Sequence, residues 1–526
     1  MSIKHALMTT AALGLALMGM GSEVSFYDES LPTTLNPIYA KSMVDYRAQE
    51  LYFDRLYFKD PITNNMISRL AERWEVADGG RSIMLYLNPD IRWHDGKKFT
   101  ANDICFTVNA MLDERSASPQ TEAYRSRIQS CSKEGPTIAK ITFKTPKHDL
   151  IEYLDFRVLP QHSFKSTAIQ PDHPFGADPV GTGPYSGRVR EKAARFEAHR
   201  NTAHHKPLID VMKLTQGGDP QIQTTSVING NVHGIITLPP MYRPKMSSNS
   251  EVSLKIYDLR AWWFVAVNTN KDVLAIPEVR QALNLIIDRE DLREKIFGVK
   301  KDDKDSPCEF ISGPFIPASP YYNQTVPAQN ASDLAKANAL LARAGLTKIG
   351  GRWHYNDQPV VLRIGMNATL DKEATDLIMQ IANQFSEAGF DPRPTKISDD
   401  DWTHKVTTGK AVGEFDLVIG KWSFGLDENV NDLFYTRNTS QFTGTRNIFN
   451  YSNPEIDTIL DEYTNARTED PARNAYQKLH TKLAQDLPYL FLWKLDTKSA
   501  WRKEIRNNNI TPFFYFTDIG RWKYVK

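Results

Sequence analysis

Cysteine is scarce in this chain: Cys105, Cys131 and Cys308 are the only three in 526 residues. So few exclude a small fold built from disulfides, and none of them has the spacing of a zinc site. Cys105 and Cys131 flank one helix-plus-strand unit and could meet, leaving Cys308 over; three buried free thiols are the open alternative. An excess of charge is also missing, with 64 basic against 63 acidic residues and a formal net charge of +1. That balance removes the electrostatic footprint of a nucleic-acid binder or of a protein held on an anionic membrane surface. Beyond the N-terminus no apolar run is long enough to cross a bilayer, so the mature chain is not expected to insert in a membrane. Internal repeats, low-complexity linkers, a Walker A loop and a dinucleotide fingerprint are absent as well.

Catalytic constellations are equally thin. Ser423 lies between Gly420 and Gly425 without the G-x-S-x-G spacing of a nucleophile elbow. His204-His205, with Glu197 and His199 before them, do not form an H-E-x-x-H helix, and His94-Asp95 reads as part of a turn. No catalytic residue, metal ligand set or cofactor is therefore expected, and a secreted hydrolase is the weaker rival reading.

What is present begins at the N-terminus. Lys4 and His5 precede an apolar stretch from Ala6 to Met20, and Gly19 and Gly21 give a small-x-small site before Ser22 and Glu23. This pattern predicts a secretory signal over 1–21, removed on export to the periplasm. No cysteine follows the apolar core, so lipid attachment at the cleavage site is not expected.

The full chain has a hydrophobic fraction of 41% over a length that suggests two or three domains. Strand and helix signals alternate, which predicts an α/β fold. Met84 to Leu87, Ile141 to Phe143, Trp262 to Asn268, Val360 to Met366 and Phe415 to Ile419 read as strands. Thr100 with Asp103 predicts a capped helix over Ala101 to Leu112. Further helices are expected at Val279 to Ile287, Leu334 to Ala344 (capped by Asp333, stopped by Gly345), Ala374 to Ala388, Pro454 to Thr464 and Pro471 to Asp486.

Several segments carry a resemblance. Ser68 to Ile104 reads as a hairpin turning at Asp78-Gly79-Gly80, a second turn at His94-Asp95-Gly96, and then the capped helix. Val180-Gly181-Thr182-Gly183-Pro184-Tyr185, Val279 to Leu283 with Ile287-Asp288-Arg289, Ala335 to Leu346, and Tyr451 to Asp457 follow in order. In sequence and spacing the chain resembles the extracytoplasmic solute-binding proteins of peptide- and nickel-type ABC transporters, over essentially its whole mature length.

The resemblance implies a two-lobed periplasmic-binding-protein fold of the large peptide-binding type, with an extra subdomain inserted in the first lobe. Lobe I would take 22–53, 179–265 and 491–526, the insertion 54–178, and lobe II 266–490. It also implies a monomer that closes on a peptide or peptide-like solute and delivers it to the permease subunits of an importer.

Residue by residue, Trp422 matches the family's cleft tryptophan, with Phe424 beside it. Gly425 stands where an aspartate usually meets a peptide's α-ammonium, and Ile419 where oligopeptide binders place an arginine. Asp427 and Glu428 are the next carboxylates along the loop. Trp402, Trp262, Trp263, Lys41, Met43 and Gln120 match other ligand-lining positions. A buried ammonium needs an opposed carboxylate. Gly425 therefore keeps open a capped or cyclic peptide, an opine-like compound, a sugar or a metal chelate, for uptake or for sensing.

Overall fold

The computed structural model describes residues 22–59, 65–116, 118–146, 150–190, 193–200, 206–257, 261–299, 308–367, 372–423, 428–437, 446–510 and 515–525. Two large sheets organise it. In the first, seven strands run in the order Val252–Tyr257, Thr497–Arg502, Gly234–Leu238, Glu23–Asp28, Val211–Gln216, Ala193–Ala198 and Tyr185–Arg190. The second has six, ordered Cys308–Phe310, Tyr489–Leu495, Ala261–Val267, Leu417–Ser423, Val361–Asn367 and Asp391–Ile397.

Strand Ala261–Val267 is buried on both faces, as its unbroken apolar sequence requires. Successive side chains point to opposite faces, so Trp262, Phe264 and Ala266 join one apolar cluster while Trp263, Val265 and Val267 join another. Helices Pro277–Ile286, Leu334–Arg343 and Lys372–Ala388 cover the Trp263 face. Helices Pro454–Asn465 and Glu469–Asp486 cover the Trp262 face. The first sheet packs into a cluster of its own, which runs on into the region between its first two strands. Two lobes therefore have separate cores, and this is the two-lobed fold expected.

The inserted region carries a four-stranded sheet, Ala71–Ala77, Ser82–Leu87, Ile138–Phe143 and Ile128–Gly135. Its local signals act as read. Thr100 N donates to Asp103 Oδ2 at 2.8 Å to cap helix Ala101–Leu112. Gly96 turns with φ +83° in the second turn. A disulfide joins Cys105 in that helix to Cys131 in the facing strand, and Cys308 is buried and free.

Sheet membership moves two of the expected limits. Val252–Tyr257 and Thr497–Arg502 are first-sheet strands whereas Ala261–Val267 and Tyr489–Leu495 are second-sheet strands, so 265 and 491 both fall inside strands of the second sheet. The pattern of a buried strand is the same whichever sheet it joins, which is why the sequence placed these limits within the strand.

Candidate functional site

The crossings fix where a ligand can sit. Tyr257 pairs with Thr497 at the last rung of the first sheet, and Trp262 pairs with Lys494 near the first rung of the second. Parallel strands Glu23–Asp28 and Val211–Gln216 end at that same side of lobe I. In lobe II, Trp422 stands opposite Trp262 at the matching end of Leu417–Ser423. Ligands of two-lobed α/β folds bind at strand ends beside the segments that cross between the lobes.

The lobe I edge is charged. Asp28 shares its face of the strand with Val24 and Phe26 and is buried like them. Arg47, from helix Met43–Tyr52, meets it with two bonds, Nε at 2.9 Å and Nη2 at 2.6 Å. Glu29 is exposed; it accepts from Thr237 Oγ1 at 2.9 Å and lies 3.8 Å from Arg47. Thr237 also meets the Tyr257 hydroxyl at 2.8 Å, which ties this cluster to the crossing strand. On the same strand side, Arg243 donates to the carbonyl of the crossing residue Asp496 at 2.6 Å.

The lobe II wall is aromatic. Trp422 is half-buried, as is Trp402, which opens the short turn Trp402–Val406 and packs on the same apolar cluster. The strand that carries Trp422 depends on Gly420, because a Cβ there would lie 2.7 Å from Phe264. The Arg446 guanidinium sits over the Trp422 ring, 6.0 Å from its centre. Glu428 is buried at a backbone φ of +46°.

The expected site residues divide. Trp422 and Trp402 are both half-buried and pack against the same apolar cluster of lobe II. Trp262 is completely buried against Phe264 and Phe491, so it backs that wall and does not line it. Trp263 is corrected to a core residue: strand alternation turns it into the face covered by helices Pro277–Ile286, Leu334–Arg343 and Lys372–Ala388. Lys41 and Met43 are exposed at the start of helix Met43–Tyr52. Gln120 holds that region from the insertion, donating to the Pro37 carbonyl at 3.0 Å. Phe424, Gly425 and Asp427 lie outside the described residues, as do His204 and His205.

Sequence reasoning missed Asp28, Arg47 and Arg446. For Asp28 a signal existed: a carboxylate at a buried position of an alternating strand demands a partner. Arg446 carries no such mark, because it is distant from Trp422 in the sequence and only the fold brings them together.

Serine–histidine pairs outside the cleft are not activated nucleophiles. Asn323 N donates to His480 Nδ1 at 3.1 Å, so Nε2 bears the proton it shares with Ser312 Oγ at 2.9 Å. The Ser25 backbone N–H occupies His233 Nδ1 at 3.0 Å, which competes with the Ser25 hydroxyl for the same lone pair. Among the described residues no group of three or more His, Cys, Asp or Glu could hold a metal ion, and no helix is long and apolar enough to cross a membrane.

A family model described as bacterial extracellular solute-binding proteins, family 5 Middle, matches residues 65–444. The chain belongs to this family. Protein XP55 of Streptomyces lividans is 26% identical over 93% of this chain and 84% of its own length. Oligopeptide-binding protein AppA of Bacillus subtilis is 22% identical over 93% and 89%. The AppA structure in complex with a nonapeptide covers 96% of this chain and 99% of its own at a TM-score of 0.78 and 20% identity. NikZ of Campylobacter jejuni, solved with Ni(L-His), covers 95% and 99% at a TM-score of 0.76 and 19% identity.

Proposed function

We propose that this family 5 protein is an exported receptor that closes its two lobes around a peptide-class solute and presents the closed form to the permease of an ABC importer. The observation that supports this reading is Trp422, paired with Trp262 beside the strand end where the chain crosses between the sheets, with Trp402 on the same lobe II cluster and Asp28, Arg47 and Glu29 on lobe I. An aromatic wall with a few fixed polar groups suits a solute buried by closure. Such a receptor works by population shift, because a solute touching both lobes binds the closed form better than the open one. Only the closed form then offers the permease both lobes in one fixed arrangement. The protein acts as a monomer with no resident cofactor, and its signal segment is removed at export.

A second reading, a non-peptide solute, draws on Gly425 at the position where the family's ammonium-pairing aspartate stands.

Intrinsic tryptophan fluorescence titrated with a pool of linear tripeptides tests the proposal. The expected result is a saturable change in the parent protein and an affinity loss of about tenfold or more in Trp422→Ala, since truncating a central aromatic anchor typically removes 2 kcal/mol or more. A flat titration of the parent protein would exclude the peptide class. An unchanged affinity in Trp422→Ala would take Trp422 out of the site.

A further inference from the structure

One residue, Asp496, separates strand Tyr489–Leu495 of the second sheet from strand Thr497–Arg502 of the first. The ladders hold the chain right up to it on both sides, since Leu495 pairs with Cys308 and Thr497 with Tyr257. A rotation of one lobe on the other therefore falls, at this segment, on the backbone torsions of Asp496. Those torsions are gripped from both sides. The Asp496 carbonyl accepts from Arg243 Nη2 at 2.6 Å, and Arg243 opens helix Arg243–Ser247, whose Met246 packs on strands of the first sheet. The Asp496 carboxylate lies 3.2 Å from Lys494 Nζ, which belongs to a strand of the second sheet. Arg243 is buried and the Lys494 side chain is only 10% exposed, so both contacts are sheltered from water and salt. Glu309, exposed on the adjoining strand, lies 3.5 Å from the same ammonium.

We propose that Arg243, Asp496 and Lys494 form a two-sided clasp on the hinge that sets the balance between open and closed forms. Lobe I holds Asp496 by its carbonyl and lobe II holds it by its carboxylate. Both groups hang from one residue, so when the lobes turn they cannot both keep their partners. A charge-assisted bond from the guanidinium and a sheltered ion pair therefore favour one arrangement of the lobes over the other. Lys494 has Glu309 as a second partner when Asp496 turns away, which avoids a buried ammonium left alone. These are positioning residues. They act on affinity without touching solute, through the fraction of protein in the binding-competent form.

This inference rests on the lobe closure of the reading above and not on its class of solute, and the test separates the two. Spin labels at Thr225→Cys in lobe I and Lys336→Cys in lobe II, both exposed positions, report the distance between lobes in the mature protein without solute. The expected result is a shifted distance distribution in Asp496→Asn and in Arg243→Gln relative to the parent. Asp496→Asn keeps the carbonyl and the side-chain shape, so it tests the clasp even where Arg243→Gln folds poorly. Three tripeptides of different sequence are then titrated by intrinsic fluorescence.

A change in the competent fraction alone scales every dissociation constant alike, so each variant should alter all three by one common factor of about threefold or more. The sign of that factor tells whether the clasp holds the open or the closed form. An unshifted distance distribution in both variants overturns the inference. Factors that differ between the three peptides also overturn it, since they would make these residues solute contacts. Binding of no tripeptide by the parent, with the distance shift present, overturns the peptide reading and leaves the clasp standing.

Discussion

Single side chains set how this protein responds to acid. Burial pushes His480 down to about 4, and His94 also falls to about 4, chiefly through burial, with the His199 ring tilted against it at 4.5 Å. Each is neutral in the fold where the unfolded chain would be protonated near 6.5. Their stabilising contribution is complete above pH 6.5 and is lost as pH falls toward 4. Between pH 7 and pH 5 this loss is about 2 kcal/mol per histidine. Asp54 acts in the opposite sense. Burial raises its carboxyl to about 7, so the fold takes up a proton as pH drops and gains about 2 kcal/mol over the same interval. Denaturant unfolding at pH 7 and pH 5 should show an acid loss about 2 kcal/mol larger in Asp54→Asn than in the parent protein. Equal acid sensitivity of the two proteins would show that Asp54 does not titrate in this range.

At the scale of elements, the sequence was most legible where structure is local. The Thr100–Asp103 cap, the glycine stop at Gly345 and the turn at Gly96 involve neighbours in the chain, and each forms as its residue types dictate. The Gly181-Thr182-Gly183 segment was recognisable as a pattern, but its physical reason needed the fold. A Cβ on Gly183 would lie 2.6 Å from the Tyr52 carbonyl carbon, at the end of helix Met43–Tyr52. The Gly183 amide donates to that same carbonyl oxygen at 2.9 Å. Backbone on both sides cannot move aside as a side chain could, so Gly183→Ala should lower stability by roughly 1–3 kcal/mol. A melting temperature equal to the parent's would show that the helix end can shift. Trp263 marks the limit of pattern reading in this region. Alternation says that it and Trp262 point apart, but only the packed helices tell which face each one meets.

Over the whole molecule, the two-lobed plan was readable because many short patterns occur in a fixed order, while the places where the chain changes lobes were not. Ala261–Val267 is a buried strand in either lobe, and its membership is decided by pairing with Leu417–Ser423 and Tyr489–Leu495, far along the chain. The cleft wall shows the same division. Trp422 follows from its own segment, whereas Arg446 reaches it only through the fold. Lobe II also touches the insertion directly, with Arg467 donating to the Pro146 carbonyl at 3.2 Å.

The central claim is that this cleft is filled by a peptide-class solute in the cell. Protein purified from its native host without denaturation, then unfolded and filtered, should release its ligand for mass spectrometry. The account predicts short peptides in amounts approaching one per protein molecule. Stoichiometric recovery of a sugar, a metal chelate or another non-peptide compound would contradict it.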